Sequence, residues 1–554
     1  MKYKLLILTY FIFYSVNGLF GQVPTWTYGI SFGGTDLDLL QDMCIDRSNN
    51  IIMVGPFYST DLQIGPFTLS SNGIDDIFVS KFDNSGNVIW AKSFGGNGYD
   101  AVMAVASDDS DNIYITGSFD SDSIQFDGSE LFKTGITNMF IVKLDENGNV
   151  LWAKQSYNSI TCGAICLTIN HSGDLFLTAE AGDSLVLFDQ DSIHITQVPG
   201  GVVSLLFKLN RNGNIIWRKV IKGPGRNDWP LISSDGFGNS YLFFHSGTHS
   251  VTIDTTQLMS NSYSNVYIVK FDSIGNFVFA SLIAGFGGLG GVQNREIISD
   301  SIGNFYVVGN SEADSLDFGQ FLLTNVHSNE DAFVAKFNNV GTPIWAKYFG
   351  GNSSDFGLNV AINPDGGPTM VGAYYSHSIV IDSVLLINHG SSYTDIFMAR
   401  FDSTGNIVYA IDYGGALQDY SSSLIIDNDG IYYLGAQTHS DTIVFNNLSL
   451  LNNTGSFDIL LLKSDFPSGI ESIEGELNGK ITLFPNPSNG QFQLNCNQSI
   501  EKITISDVFG RIVFTSEEKD SSLHGYRFDL KNRGMYIMTV QIKNEQLSGK
   551  IIIE

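Results

Sequence analysis

One strand–turn–strand pattern recurs along the chain, and it limits the folds open to the chain more than any other feature. It first reads KFDNSGNVIWAKSFGG over residues 81–96. Five further copies stand at 143–154, 208–219, 270–281, 336–347 and 400–410. Self-similarity of this kind indicates a repeat architecture in which each copy is one supersecondary unit. Such a unit cannot bury its apolar faces alone, so the copies must pack on one another.

The repeat region begins and ends partway through a unit. Aromatic residues end the copies at steps of 62 to 66 residues: Trp26, Trp90, Trp152, Trp217, Phe279, Trp345 and Tyr409. Cations begin them, nine residues earlier wherever both are present: Lys81, Lys143, Lys208, Lys270, Lys336, Arg400 and Lys463. Trp26 has no cation strand before it, and Lys463 has no aromatic strand after it. The two chain ends of the repeat region therefore read as parts of one split unit.

Each unit reads as four strands, named A to D. In one copy AVMAVASD (101–108) and NIYITGSF (112–119) flank a polar turn, and NMFIVKLD (138–145) and NVLWAK (149–154) follow. Four-stranded units at this period are typical of β-propeller blades. We therefore predict an all-β chain in which residues 22–465 form a seven-bladed β-propeller. The strand around Trp26 would complete the last blade, whose other strands come from 421–463, and would leave no free sheet edge.

The C–D turn allows two registers. Glycine occupies the same position in all six complete turns, as Gly86 does in the first copy. A three-residue loop with a left-handed glycine would set Val88 opposite Phe82 and Trp90 opposite Ser80. A four-residue loop would place Lys81 opposite Trp90, where a cation–π contact is available. The recurring glycine favours the first register.

Charge and cysteine content exclude some classes of protein. The formal net charge of −28 argues against a nucleic-acid-binding protein and against attraction to an anionic membrane. Cys162 and Cys166 lie four residues apart in an extended run, too far from each other for a disulfide.

The N-terminus predicts a leader for export. Lys2 and Lys4 precede the apolar run LLILTYFIFYSV (5–16), and small and polar residues follow up to Gly21. An apolar core of about a dozen residues is too short to span a bilayer comfortably, which favours a signal peptide over 1–21 rather than a membrane anchor. The remaining chain has no other long apolar run, so no stable membrane insertion is expected.

The repeats resemble a known bacterial family. FGGNGYDAVMAVASDDSDNIYITGSF (94–119) is similar to the bacterial β-propeller repeat (SBBP-like) family, whose pattern runs from a glycine pair through an aspartate to D-x-x-G-N and Tyr-Val-Thr-Gly. SFGG (31–34), YFGG (348–351) and DYGG (412–415) repeat the glycine pair. The units depart from the family in length, with an added stretch between strands B and C. The copy after Trp217 lacks the glycine pair and reads VIKGPGRNDWP (220–230).

The C-terminal segment has a sequence pattern that differs from that of the repeats. Its alternation of apolar and polar residues over 480–554 predicts a small antiparallel β-sandwich, and 466–479 reads as a linker. It also resembles the type A sorting domain of proteins exported by the type IX secretion system. The matching motif residues are Pro485, Asn486, Pro487, Gly490, Asp507, Gly510, Arg511, Gly534 and Tyr536. The resemblance implies a Gram-negative bacterium, passage through the type IX machinery, and either secretion or attachment to lipopolysaccharide at the outer cell surface.

The sequence contains no recognisable catalytic constellation, so we expect a protein that is not an enzyme. His245 and His249 lie four residues apart without a third zinc ligand nearby, which favours ordinary surface residues. The acidic turn DDSDN (108–112) could hold a structural calcium ion, but turn chemistry explains it better. No other cofactor is predicted. The Asp-Ser or Asp-Thr pairs that recur near Asp122 and its equivalents resemble an O-glycosylation signal, or simply begin the stretch between strands B and C.

Variable loops on a regular scaffold are where binding usually resides. The departures from the repeat supply the candidate ligand-binding residues Arg226, Asp228, Trp229, Arg295 and Glu296. An exposed tryptophan among charges suits a sugar or a peptide, and a loop-packing tryptophan is an equal alternative. The predicted function is therefore a secreted or surface-attached recognition protein for a glycan or protein ligand. The alternatives are an extracellular hydrolase or lyase acting on polysaccharide and a structural surface component.

Overall fold

The structure is a computed structural model that describes most of residues 23–465 and the strands of the C-terminal segment. Short gaps fall at 158–159, 183–184, 189–190, 195–201, 224–226, 263, 288–290, 326–328, 391, 447 and 453–454. Beyond residue 465 it describes 481–484, 491–496, 501–507, 512–516, 526–529, 534–542 and 545–553. The predicted signal peptide and linker lie outside the described residues. Strands and turns make up the described ranges, and none of them contains a helix able to cross a membrane.

Twenty-eight strands of residues 23–465 form seven antiparallel four-stranded units in the order A-B-C-D, here numbered 1 to 7 along the chain. The A strands are β2 (Asp42–Ile45), β8 (Asp100–Ser107), β14 (Cys162–Ile169), β20 (Asn227–Ser234), β26 (Val292–Ser299), β32 (Asp355–Ile362) and β38 (Asp419–Ile426). The B strands are β3 (Ile51–Phe57), β9 (Ile113–Phe119), β15 (Leu175–Ala181), β21 (Ser240–Ser246), β27 (Phe305–Ser311), β33 (Pro368–Tyr374) and β39 (Tyr432–Thr438). The C strands are β6 (Asp76–Phe82), β12 (Asn138–Leu144), β18 (Val203–Leu209), β24 (Ser264–Phe271), β30 (Asp331–Phe337), β36 (Asp395–Phe401) and β42 (Asp458–Asp465). The D strands are β7 (Val88–Phe94), β13 (Val150–Tyr157), β19 (Ile215–Lys222), β25 (Phe277–Phe286), β31 (Pro343–Phe349), β37 (Ile407–Tyr413) and, for unit 7, β1 (Thr25–Phe32).

The stretch between strands B and C, which lengthens each repeat, forms a two-stranded hairpin in every unit. The hairpins are β4 (Leu62–Ile64) with β5 (Phe67–Leu69), β10 (Ser123–Phe126) with β11 (Ser129–Phe132), β16 (Leu185–Phe188) with β17 (Asp191–His194), β22 (Ser250–Ile253) with β23 (Thr256–Met259), β28 (Ser315–Asp317) with β29 (Leu322–Thr324), β34 (Ser378–Ile381) with β35 (Val384–Ile387), and β40 (Thr442–Phe445) with β41 (Leu448–Leu451). Three of them extend the D strand of the preceding unit, through β16 on β13, β22 on β19 and β28 on β25. Single bridges make the same link from unit 2 to unit 1 and from unit 7 to unit 6. Each of these links covers part of an outer strand that would otherwise be a free edge.

The first strand of the repeat region pairs with the last. Strand β1 runs antiparallel to β42, as the split repeat predicts, with Phe32 opposite Ile459. A bulge places Trp26 opposite Ser464 and Tyr28 opposite Lys463. Tyr28, and not Trp26, therefore stands where the other units have the aromatic residue opposite the cation. The predicted equivalence of Trp26 with Trp90 and its counterparts was wrong by two residues.

The C–D turn combines the two predicted registers. Val88 lies opposite Phe82, as the favoured register requires, but Trp90 lies opposite Lys81 and not opposite Ser80. A bulge beside the turn inserts one residue into strand D and changes the register between these two pairs. The turn glycine, Gly86, has φ +82°, a conformation that favours glycine.

The C-strand lysines link neighbouring units. Lys81 Nζ donates to the carbonyl oxygen of Glu146 at 3.2 Å, and Trp90 Nε1 donates to the same oxygen at 3.1 Å. The corresponding bond between the last and first units runs from Lys463 Nζ to the carbonyl oxygen of Asn84 at 2.6 Å. The A strands contact one another in chain order from β2 to β38, and β38 contacts β2. Unit 7 thus meets unit 1 much as the other units meet their neighbours.

The glycine pair after strand D forms a buried clasp. In unit 2 the Gly96 N–H donates to Asp100 at 2.6 Å, and the Ser121 hydroxyl donates to the same carboxylate at 2.7 Å. Burial raises the pKa of Asp100 to about 6. The same three residue types meet in units 1, 6 and 7. In units 3, 4 and 5 the aspartate is replaced by Cys162, Asn227 and Val292.

The C-terminal segment contains two antiparallel sheets. One comprises β43 (Ile481–Phe484), β44 (Gln491–Cys496) and β47 (Tyr526–Asp529). The other comprises β45 (Lys502–Asp507), β46 (Ile512–Ser516), β48 (Gly534–Ile542) and β49 (Glu545–Ile553). Phe514 of one sheet packs edge-to-face on Phe528 of the other, with ring centroids 5.2 Å apart. This contact is of the kind that the predicted sandwich requires.

Candidate functional site

The A strands of all seven units converge on one cavity of about 540 Å³. Its lining residues are Leu40, Gln41, Asp42, Met103, Ala104, Ile165, Cys166, Trp229, Leu231, His245, Gln293, Asn294, Arg295, Glu296, Leu358, Asn359, Ser421, Ser422 and Gln437. Strand B contributes only His245 and Gln437 to this lining. A ligand in this cavity would therefore contact mainly residues of the first strand of each unit.

A bulge in strand A supplies the residues that reach the cavity. In units 2, 3, 5, 6 and 7 the pairing with strand B skips one residue, and the skipped residues are Met103, Ile165, Arg295, Leu358 and Ser422. In unit 4 two residues are skipped, Trp229 and Pro230. Gln41, just before β2, takes this place in unit 1. An extra residue in one strand turns its side chain away from the regular alternation, and this is how residues of such different chemistry share one cavity.

Two carboxyl groups follow the bulges. Asp42 Oδ2 accepts a hydrogen bond from the Val105 N–H of the next unit at 2.9 Å. Glu296 accepts from the Ile297 N–H at 2.9 Å and from Asn359 Nδ2 at 3.3 Å. Burial raises the pKa of Asp42 to about 7 and that of Glu296 to about 8. The raised pKa favours the protonated form of Glu296, which is able to donate a hydrogen bond.

Arg295 lies in a polar part of the cavity wall. Its Nε donates to Asn310 Oδ1 at 2.8 Å, and a terminal nitrogen donates to Gln293 Oε1 at 2.9 Å. Desolvation lowers the pKa of the guanidinium, while the charge of Glu330 opposes that shift. Asn310 in turn donates to Glu330. The guanidinium is thus held in place by two amide oxygens.

Trp229 is held at the cavity by its backbone. Its N–H donates to a carboxylate oxygen of Glu180, and its carbonyl oxygen accepts from Asn294 Nδ2 at 2.6 Å. Its φ of +51° is unusual for a tryptophan. The side chain remains 52% exposed. A large aromatic surface is therefore available at a fixed position in the wall.

The structure brings three of the five predicted ligand-binding residues together, because Trp229, Arg295 and Glu296 line the same cavity. Arg226 lies outside the described residues. Of Asp228 only the backbone is described, paired with His245. Whether these residues bind a ligand stays a prediction.

Several cavity residues did not stand out in the sequence, Asp42 and Asn359 among them. A positional signal exists nonetheless. In units 1, 2 and 6 the cavity-facing pair stands three and four residues after the clasp aspartate, as Gln41 and Asp42 follow Asp38. In unit 7 Ser421 and Ser422 stand two and three residues after Asp419. Counting from that aspartate would have located much of the lining in these four units.

The candidate ion ligands of the sequence have other roles. Asp108 of the acidic turn accepts hydrogen bonds from the Ser110 N–H, the Asn112 side chain and Lys143 Nζ. Its carboxylate oxygens are therefore occupied by contacts within the turn and by an ion pair. His245 lines the cavity, and within the described residues neither it nor His249 joins two further metal-ligand side chains. Cys162 and Cys166 are unbridged.

One similarity to known proteins lies at the C-terminus. Residues 482–554 match the model of the secretion system C-terminal sorting domain. The predicted sorting domain is therefore confirmed, and it indicates export by type IX secretion. The motif residues Pro485, Asn486, Pro487, Gly490, Gly510 and Arg511 lie outside the described residues. Tyr536 is buried on β48, opposite Asp507 of β45, and Gly534 begins β48.

Two curated relatives also match parts of the chain. An uncharacterized WD repeat-containing protein of Acanthamoeba polyphaga mimivirus is 20% identical over 440 residues, which is 65% of this chain and 32% of that protein. Regulatory protein FlaEY of Caulobacter vibrioides is 25% identical over 117 residues, which is 21% of this chain and 12% of that protein. The chain thus spans less than a third of either relative's length. Among solved structures, Sqt1 from Chaetomium thermophilum superposes with a TM-score of 0.31 at 10% identity, covering 83% of this chain and 98% of that one.

Proposed function

We propose that residues 22–465 form a closed seven-bladed β-propeller that is exported and binds a ligand in its central cavity. The observation that carries this proposal is the convergence of all seven A strands on one cavity. The pairing of β1 with β42 and the contact of β38 with β2 support a ring without a free seam. Each unit would then be one blade, with strand A innermost.

Export by type IX secretion supports a binding site that lies outside the cell. The sorting domain supports secretion, or attachment to the outer surface, of a Gram-negative bacterium. Extracellular ligands there include the glycans and proteins that surround the cell. Of these two classes, the cavity favours a glycan. The exposed indole of Trp229 offers a flat surface for the C–H face of a sugar, and Arg295 with its amide neighbours offers hydrogen bonds to hydroxyl groups.

A glycan array probed with the untagged mature protein tests this proposal. We expect binding to a limited set of glycans, and at least a tenfold weaker signal from Trp229→Ala and from Arg295→Gln. Phe237→Ala is the matched control, because Phe237 is 69% exposed in the A–B turn of the same unit and does not line the cavity. An array without signals, or equal binding by Trp229→Ala, would reject a glycan ligand in this cavity and would favour a protein ligand or a structural surface role.

A second candidate function, hydrolysis or elimination on a polysaccharide, rests on Asp42 and Glu296. Both line the cavity, and burial raises the pKa of each carboxyl group, as general acids require. A glycan that binds on the array should then be cleaved, and Glu296→Gln should abolish the release of new sugar ends. Stable binding without cleavage would leave recognition as the function.

A further inference from the structure

Unit 6 brings together three metal-ligating side chains from three different segments of the unit. Asp395 begins strand C, Asp412 lies on strand D, and His389 stands in the connection between β35 and β36. His389 Nδ1 lies 2.8 Å from Asp395 Oδ2 and 3.4 Å from Asp412 Oδ2. All three ligand atoms lie within 4.8 Å of one another.

These separations suit a transition-metal ion. Zinc binds histidine nitrogen and carboxylate oxygen at about 2.0–2.2 Å, so tetrahedral ligands lie roughly 3.3–3.6 Å from each other. The His389–Asp412 separation of 3.4 Å already has this value. The His389–Asp395 pair would need to open by about 0.6 Å, which replaces one hydrogen bond by two metal–ligand bonds.

The combination distinguishes unit 6 from comparable units. Units 1, 5 and 7 also begin strand C with an aspartate, Asp76, Asp331 and Asp458. The residue on strand D opposite the third residue of strand C is Ser93 in unit 1, Tyr348 in unit 5 and Ser31 in unit 7, whereas it is Asp412 in unit 6. The repeat therefore does not require a second carboxylate here.

The surroundings orient the ligands and leave one side open. The Asp395 side chain is fully buried, and its Oδ2 also accepts the His389 N–H at 2.6 Å. The Tyr374 hydroxyl donates to Asp412 Oδ2 at 3.3 Å. Such bonds from neighbouring groups fix metal ligands in place. The His389 side chain is 53% exposed, which gives an ion and a water molecule access.

Burial also makes two adjacent carboxylates costly. The Asp395 side chain is fully buried and that of Asp412 is 19% exposed, so water screens their negative charges poorly. A divalent cation bound between them would offset this repulsion. The nitrogen ligand favours zinc over calcium or magnesium, which prefer oxygen ligands only.

We propose that His389 Nδ1, Asp395 and Asp412 bind one Zn²⁺ ion, with water at the fourth position. The ion would tie the connection after β35 to strands C and D of unit 6. If Zn²⁺ binds the folded state and not the unfolded chain, it would stabilise the folded state.

Isothermal titration of the untagged, chelator-treated mature protein with Zn²⁺ tests the proposal. We expect one ion per chain, and at least a tenfold weaker affinity in His389→Gln and in Asp412→Asn. His377→Gln is the control, because His377 is an exposed histidine of the same unit outside the cluster, and its affinity should equal that of the wild type. Circular dichroism melts of the metal-free variants establish that they fold, and Asp412, which is only partly buried, provides a second variant should His389→Gln lose structure.

Three results would overturn the proposal: no Zn²⁺ binding by the wild type, unchanged binding by both cluster variants, or displacement of Zn²⁺ by equimolar Ca²⁺. Bound Co²⁺ gives a further readout, since a visible spectrum typical of tetrahedral coordination is expected in the wild type and in His377→Gln. The same spectrum in His389→Gln would assign the ion to another site.

Discussion

The proposed ring predicts that Trp26 stabilises the whole repeat region and not only the strand that carries it. The side chain is 1% exposed and packs edge-to-face on Tyr413 and Phe445, with ring centroids 6.0 and 6.1 Å away. It thus joins strand β1 to units 6 and 7. Truncation of a fully buried tryptophan to alanine costs about 3–5 kcal/mol.

The expected change in melting temperature follows from the size of the proposed ring. At about 2.1 cal/mol/K per residue, roughly 440 residues have an unfolding entropy of about 0.9 kcal/mol/K. If the units unfold together, Trp26→Ala should therefore lower the temperature of the main transition by about 3–5 °C. Differential scanning calorimetry measures this shift directly.

Trp229→Ala provides the matched control, because the same atoms are removed from a side chain that is 52% exposed. Its melting temperature should change by less than about 1 °C. The reasoning would be refuted if Trp26→Ala left the main transition in place and only added a separate transition at low temperature. Strand β1 would then be an independent appendage, and the ring would not be one cooperative structure.

Two further predictions concern charge. Lys81→Met should lower the free energy of unfolding in urea by about 3–5 kcal/mol, because it leaves the buried Asp46 without an ion pair. Lys92→Met breaks an exposed ion pair and should lower it by less than about 1 kcal/mol. Equal losses would contradict the assigned role of burial. Because burial raises the pKa of Glu296 from 4.5 to about 8, the folded state binds more protons than the unfolded chain between these values, so stability should fall as the pH rises from about 4.5 to 8. Melts at about pH 5 and about pH 8.5 should show a smaller fall for Glu296→Gln than for the wild type, and an equal fall would count against the burial of this carboxyl group.

The sequence period was sufficient to predict the strand order of the units and the pairing of the first strand with the last. Lys81 and Trp90 recur at a fixed spacing because both serve the contact with the next unit, so their spacing was visible without a structure. The bulges were not visible. Strand β1 has the same bulge as the other D strands, so Tyr28 occupies the place of Trp90 and Trp26 that of Val88. Both β1 residues are aromatic, so the sequence pattern alone did not distinguish them.

The candidate site was predicted only where the sequence departs from the repeat. Trp229 and Arg295 stand out because they break the pattern, whereas the residues at the position of Asp42 differ in type from unit to unit and give no recurring signal. The cluster around His389 could not be predicted from the sequence. The short distance from His389 to Asp412 depends on the pairing of β36 with β37 and on the path of the connection before them. Contacts of this kind depend on tertiary structure and leave no local pattern.

The pairing of β1 with β42 has a consequence for biosynthesis. A hydrogen bond joins Ser31 to Asp458, 427 residues further along. A nascent chain emerging from the ribosome therefore holds β1 without its partner until β42, more than 400 residues later, has been made. Contacts of such long sequence separation form slowly, and unsatisfied edges invite association with other chains in the meantime. Premature termination anywhere before residue 458 would leave this strand permanently exposed.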